Sequence, residues 1–406
     1  MTDIEFGIMV AKEAKRLEDE GRDSNQIAKI LCDADPKASN YGIGIILDKK
    51  GGAFPTSPTL LHFVEKELKR SGDGNYLNSM KLTAEIKHSV LQWQRIPQAH
   101  WNEFVFCMPS DAGTGCVKTG LEYASLINPK LERIGIEELG WPAYKAIAKS
   151  IRLGIKEYKT AEVINEDNVL PLYQCGPMNT TGAIMTKERI NERAKAASDS
   201  GKILLLDRAY SGFEYARDTS SKSYDSVMKN SYNHNLKPFI DSNTSFILAI
   251  SPTKSFGSFA LRPAGFLLLY IPEPKQRPKA QQILNTLIRA RGSSFEHPST
   301  RGLARAMVES LNKLEDEHLK ILQRMADAEG RWLRFAKETS IEKLFSNDFA
   351  GLFRNPRVLE NAAEGLYGAH LYPVLSGNRC RINITGIPSD DYKIKMHVET
   401  FAKYIA

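Results

Sequence analysis

The chain contains no apolar run approaching the roughly 20 residues that cross a bilayer. Its start, Met1-Thr2-Asp3-Ile4-Glu5-Phe6, is acidic where a secretory signal is basic. It has only five cysteines, Cys32, Cys107, Cys116, Cys175 and Cys380, scattered, odd in number and without a CxxC pair. That excludes a disulfide framework, offers no metal site and suits reduced thiols. Walker A, HExxH and nucleophile-elbow sequences are missing. A basic tract is missing too: 55 lysines and arginines are interspersed with 48 acids, and the net charge of +7 is a solvated surface with at most a positive cleft for anions. A soluble, cytoplasmic protein with no nucleic-acid or membrane partner is expected.

At 406 residues the chain is long enough for one large domain and a smaller companion. No repeat, low-complexity tract or linker separates them, so the domains are interleaved. Ile4, Ile8, Ala11 and Leu17 predict a surface helix over 4–20, and Ser24–Leu31 a second. Leu60, Leu61, Phe63, Val64 and Leu68 predict another. Short apolar runs then recur at Phe104–Met108, Arg133–Ile136, Ile155–Tyr158, Val169–Tyr173, Ile203–Leu206, Phe246–Ile250 and Gly265–Ile271. Stretches of helical period lie between most of them, including Val117–Leu126, Ala143–Arg152 and Lys187–Ala197. Strands alternating with helices predict an α/β fold, a mainly parallel seven-stranded sheet covered on both faces. Residues 300–337 read as one helix bridging two domains, and the remainder as short strands and a closing helix. The expected division is 1–49 as the N-terminal part of a small α+β domain, 50–320 as the large domain, and 321–406 as the rest of the small one.

In parallel sheets ligands gather beyond the carboxyl ends of the strands, which directs attention to the polar residues there. After Phe246–Ile250 come Ser251, Lys254 and Gly257, with Arg262 eight positions past the lysine. A desolvated lysine at such a point is a nucleophile toward aldehydes, though a lysine alone is ordinarily a solvated cation. After Ile203–Leu206 come Asp207, Tyr210 and Phe213, which alone would be an acidic cap and a half-buried phenol. After Val169–Tyr173 come Asn179, Thr180 and Gly182, residues that also make turns. Gly113-Thr114-Gly115 precedes the helix Val117–Leu126; with Thr114 as N-cap, the backbone amides there suit an anion. Trp141 follows Arg133–Ile136, where packing alone explains most tryptophans.

Together these segments resemble the class I aminotransferases of the aspartate and aromatic type, which have the pyridoxal-phosphate-dependent fold type I. Ser251-x-x-Lys254-x-x-Gly257 with Arg262 is similar to the family's lysine motif and its downstream arginine. Asp207-x-Ala-Tyr210-x-Gly-Phe213 resembles the family's Asp-x-Ala-Tyr-x-Gly-Phe. Asn179-Thr-Thr-Gly182 is similar to its Asn-Pro-Thr-Gly, with Thr180 in place of the often cis proline. Asp111-Ala112-Gly113-Thr114-Gly115 resembles its Ser-Gly-Thr-Gly, with Ala112 in place of the serine. Arg381-x-Asn383-x-x-Gly386 is similar to its substrate-carboxylate strand, with Arg379 as a nearby competitor. Asn40-Tyr-Gly42-Ile-Gly44 and Asn75-Tyr76-Leu77 resemble two further segments, and the matches run in the family's order.

The resemblance implies that Lys254 holds pyridoxal 5'-phosphate as a Schiff base and moves the substrate's α-proton. It implies that Asp207 keeps the pyridine nitrogen protonated, Tyr210 and Asn179 bond the ring oxygen, and Trp141 stacks on the ring. Gly113, Thr114, Ser251 and Arg262 would hold the phosphate, with Tyr76 reaching the phosphate of a neighbouring subunit in a homodimer. Arg381 would grip the substrate carboxylate near Gly44, and Arg289 or Arg291 from the other subunit a side-chain carboxylate. The implied activity is ping-pong transfer of an amino group between an amino acid and a 2-oxo acid, of aspartate or aromatic type. Another reaction on the same cofactor, or a silent cofactor-binding regulator, is the alternative. The first twenty or so residues extend beyond the family's usual start.

Overall fold

The computed structural model describes residues 2–159, 162, 166–293 and 295–406. It divides into two compact units: one made of residues 1–54, 177–184 and 323–406, the other of 55–176 and 185–322.

The larger unit is built on a seven-stranded sheet. Its strands, numbered in chain order within the sheet, are β1 (Phe104–Cys107), β2 (Arg133–Glu137), β3 (Gly154–Tyr158), β4 (Val169–Gln174), β5 (Leu204–Arg208), β6 (Phe246–Ile250) and β7 (Phe266–Tyr270). They lie in the order β1-β7-β6-β5-β4-β2-β3, and only β7 runs antiparallel to its neighbours. All seven coincide with the apolar runs of the sequence, within a residue or two at their ends. Strands β1, β5, β6 and β7 are buried along their whole length. Alternate residues serve alternate faces. Phe104, Phe106, Leu204, Leu206, Leu248 and Leu268 pack into one core, whereas Val105, Leu205, Ile247, Ala249 and Leu267 pack into another with the helix Ala112–Ile127. Each fully buried leucine contributes about 1.5–3 kcal/mol, so this double burial dominates the unit's stability.

The helices that period predicts over 4–20, 24–31, about 60–68, 143–152 and 187–197 are present as Asp3–Asp19, Ser24–Ala34, Pro58–Arg70, Ala143–Ser150 and Lys187–Ser200. Two readings are corrected. Residues 300–337 are two helices, Pro298–Glu309 and Leu311–Ala336, because Ser310 (φ −149°, ψ 35°) leaves helical geometry. The helix read as Val117–Leu126 begins at Ala112, so Thr114 lies within its first turn rather than capping it; Asp111 (φ 68°) holds the cap position without a side-chain bond.

The smaller unit joins the chain ends with 177–184, a segment expected in the large domain. Its backbone explains the difference: the Ala350 amide donates to the Gly182 carbonyl at 2.8 Å and the Ile184 amide to that of Asp348 at 2.8 Å. Strands Val374–Ser376, Arg379–Asn383 and Phe353–Arg354 form its small sheet. The N-terminal helix Asp3–Asp19, held by a Thr2/Glu5 capping box, packs on Ala362–Gly368. At Gly7 a Cβ would come within 2.0 Å of the Glu364 carbonyl oxygen, so only glycine permits that approach.

An ion pair between Arg354 and Glu329 is sealed in this unit at 2.5 Å, with the guanidinium also donating to the carbonyls of Leu344, Ala350 and Gly351. Glu329→Leu would remove the carboxylate with which this buried cation pairs. The expected loss is about 3–5 kcal/mol in a urea titration; a change below about 1 kcal/mol would show that the carbonyls alone solvate Arg354.

Candidate active site

The alternation of β5 decides the surroundings of its last two residues. Asp207 shares the face of Leu205, against the Ala112–Ile127 layer, and Arg208 points the other way. Arg208 is fully buried and donates to Gln94 Oε1 at 2.7 Å and to Ser231 Oγ at 2.6 Å. Asp207, 5% exposed, accepts the hydroxyl of Tyr144 on Oδ2 at 2.5 Å and the Ala209 amide on Oδ1 at 3.1 Å. Burial pushes its carboxyl up to about 6, against the pull of these two hydrogen bonds.

Two residues past β5, Tyr210 is 3% exposed and sets its ring edge on Phe213 at 5.4 Å. Strand β6 ends beside it. There Ser251 caps the one-turn helix Pro252–Ser255, accepting from the Thr253 amide at 3.3 Å. Lys254 is half-buried, with Nζ 5.9 Å from the centroid of the Tyr210 ring and 4.7 Å from that of Phe259. An amine over two aromatic faces is held near apolar surface.

The start of the helix Ala112–Ile127 faces the same strand end. A Cβ on Gly113 would lie 2.7 Å from Ser251 Cβ and 3.0 Å from its hydroxyl, so the absent side chain leaves the backbone amides open to whatever lies against Ser251. Arg262, in the left-handed region at φ 39°, donates from Nη2 to Thr114 Oγ1 at 3.3 Å. Gly113, Thr114, Ser251 and Arg262 therefore converge as hydroxyls, a cation and first-turn amides, the donor set that a phosphate monoester requires. Ala112, where a hydroxyl was expected, is 2% exposed and bridges to Ala264.

Trp141 precedes the helix Ala143–Ser150 and meets Tyr144 edge-on, centroids 5.2 Å apart. Tyr144 thus touches both Trp141 and Asp207. Tyr144 lies outside the sequence motifs; the turn that opens this helix, in which its amide donates to the Trp141 carbonyl at 3.1 Å, brings the two residues together. This unit therefore holds a primary amine, a buried carboxylate, a buried phenol, an indole and an anion cradle. That set fits pyridoxal phosphate, whose aldehyde, ring nitrogen, ring oxygen, ring face and phosphate each need one of them. Among the described residues, no group of three or more histidine, cysteine or acidic side chains could hold a metal ion.

Asn179, Gly44 and Arg381 belong to the smaller unit. There Arg381 donates to Asn25 Oδ1 at 2.8 Å and to the Gly42 carbonyl at 3.0 Å, and its guanidinium lies 4.6 Å from the Phe353 ring centroid. Asn383, two residues on, donates to the carbonyls of Ile43 and Ile45, fixing the loop that contains Gly44. Arg379 instead donates to the Asn355 carbonyl at 2.7 Å. No peptide bond among the described residues is cis, that of Thr180 included. In the larger unit Tyr76 is 79% exposed and stacks on Phe295 at 3.7 Å. Arg291 pairs with Glu122 at 2.7 Å, whereas Arg289 lines a cavity of about 210 Å³ with Phe106, Gln281, Phe295 and Glu296.

Comparison with known proteins agrees with this chemistry. Residues 110–328, more than half of the chain, match aminotransferase class I and II. The aspartate aminotransferase of Haemophilus influenzae is 23% identical over 384 residues, covering 87% of this chain and 90% of that protein. The aspartate aminotransferase of Escherichia coli is 24% identical over 307 residues, covering 69% and 71%. Among solved structures, an aromatic-amino-acid aminotransferase from Burkholderia pseudomallei, covalently bound to pyridoxal phosphate, has the same fold with a TM-score of 0.74 at 17% identity, covering 94% of this chain and 96% of that one. The chain belongs to the class I and II aminotransferase family. It is a pyridoxal-phosphate-dependent transaminase.

Proposed function

We propose that Lys254 is the residue that binds the cofactor and carries the proton, in a ping-pong exchange between an amino acid and a 2-oxo acid. The observation that carries this reading is the grouping in one unit of the Lys254 amine, the buried Asp207 carboxylate and the Gly113–Arg262 cradle. Pyridoxal phosphate, when bound, supplies an aldehyde to receive the amino group and a protonated ring to draw electrons from the α-carbon. Thr114, Ser251, Arg262 and the amides around Gly113 fix the phosphate. Tyr210 donates to the ring oxygen together with Asn179, and Trp141 covers the ring face and excludes water. Arg381 is the candidate to take the substrate α-carboxylate in a two-pronged bond. Lys254 Nζ would take the substrate α-proton and hold it for return to the cofactor carbon.

The donor is an amino acid of aspartate or aromatic type, and relatives of both names support either. Arg289 is the better candidate for a side-chain carboxylate, since the Arg291 charge is already matched by Glu122. A homodimer is the assembly that would use the exposed Tyr76 and Phe295. The cytoplasm is the compartment that suits five free, buried thiols.

The test is a half-reaction: holoprotein is mixed with aspartate, phenylalanine or other amino acids without an oxo-acid acceptor. One equivalent of 2-oxo acid per bound cofactor is expected from one class of donor. Release of ammonia or carbon dioxide, or racemisation, would replace transamination by another reaction of the cofactor. Arg289→Ala should lose dicarboxylic donors and keep aromatic ones.

A further inference from the structure

We propose that Tyr144 is a positioning residue that sets the charge of Asp207, and through it the protonation of the cofactor's ring nitrogen. The inference rests on the reading of Asp207 given above and extends it to a side chain outside the motifs. Asp207 lies in an apolar layer, and without help its negative charge is poorly solvated there. The help it has is neutral: the Tyr144 hydroxyl at 2.5 Å and the Ala209 amide at 3.1 Å. Other titratable groups that feel its charge are the thiols of Cys116 and Cys175, both pushed up by burial and so uncharged. Burial also holds the Tyr144 phenol well above its ordinary range, which keeps it a permanent donor.

A proton between a carboxylate and a pyridine nitrogen lies on whichever atom is the stronger base in place. By donating to Oδ2, Tyr144 weakens the carboxylate as a base and leaves the proton on nitrogen. A cation in its place would do this more strongly but would also repel the pyridinium. Tyr144 also meets Trp141 edge-on, so one residue braces the group at the nitrogen and the ring proposed to cover the cofactor's face.

The test uses holoenzyme reconstituted with cofactor labelled with ¹⁵N in the ring. The ¹⁵N shift is followed against pH in wild type, Tyr144→Phe and Asp207→Asn. Tyr144→Phe, which removes one oxygen, should lower the pH at which the nitrogen loses its proton by about one to two pH units. kcat should fall by about 10- to 100-fold, with little change in KM. Asp207→Asn should leave the nitrogen unprotonated. A Tyr144→Phe nitrogen that titrates like wild type, even with kcat reduced, overturns the proposal while leaving Asp207 in its role. A wild-type nitrogen already unprotonated at neutral pH overturns both. If Tyr144→Phe does not hold cofactor, 3-fluorotyrosine at position 144 decides: its stronger donor must raise the titration point, and no change overturns the proposal.

Discussion

Lys254→Ala should lower kcat for transamination by at least roughly 10⁴-fold, the upper range of what one positioned acid–base group contributes. The true loss should be greater, because the same amine also makes the covalent attachment. The visible absorption of the lysine-linked cofactor should disappear as well. The fold should survive. Lys254 is half-buried at a strand end and belongs to neither hydrophobic core of this unit. A stable protein without the lysine-linked cofactor and without activity is therefore the expected phenotype, to be read by absorption and circular dichroism together. Full activity in the presence of added cofactor would remove Lys254 from the mechanism.

Asp207→Asn should have opposite effects on activity and on the stability of the apoprotein. The folded carboxyl titrates at about 6, raised by burial, whereas in the unfolded chain it titrates at about 3.9. Between these values the folded apoprotein holds a proton that the unfolded chain has released, so stability falls as pH rises. The contribution is fully present below about pH 3.9 and is lost through pH 6. Above that, ionised Asp207 costs about 3 kcal/mol. Asparagine does not ionise, so the apo variant should gain up to about 3 kcal/mol over apo wild type at pH 8 and little at pH 4. With cofactor the order reverses: asparagine cannot keep the ring nitrogen protonated, and kcat should fall by on the order of 10²–10³-fold. Urea titrations of both apoproteins at the two pH values decide it. A difference independent of pH would mean that Asp207 is not held against its own charge.

The sheet was legible because four of its strands are buried on both faces and read as unbroken apolar runs. The segments of Lys254, Asp207 and Gly113–Gly115 stand out in the sequence because each follows such a run within a few residues. Other features depended on contacts that no local pattern carries. Ser310 divides what period alone reads as one helix, since both halves keep the same apolar spacing. Thr114 resembles a cap, yet the helix starts two residues earlier at Ala112, directly after Asp111, which turns at positive φ. Arg289 and Arg291 are equivalent in sequence; only the approach of Glu122, on a helix far away in the chain, separates them.

The sequence by itself determined the layered α/β class, the strand ends at which chemistry gathers and the family. These depend on residue type at short spacing, where backbone periodicity and the chemistry of a lysine or a carboxylate act directly. Only the tertiary structure decided that Asp207 and Arg208 face opposite layers with different partners, that Tyr144 closes on Asp207, and that 177–184 packs with the chain ends. Each of these is a contact between segments tens or hundreds of residues apart. The energies that select them, desolvation of a charge and close packing against it, exist only once the chain has brought those segments together.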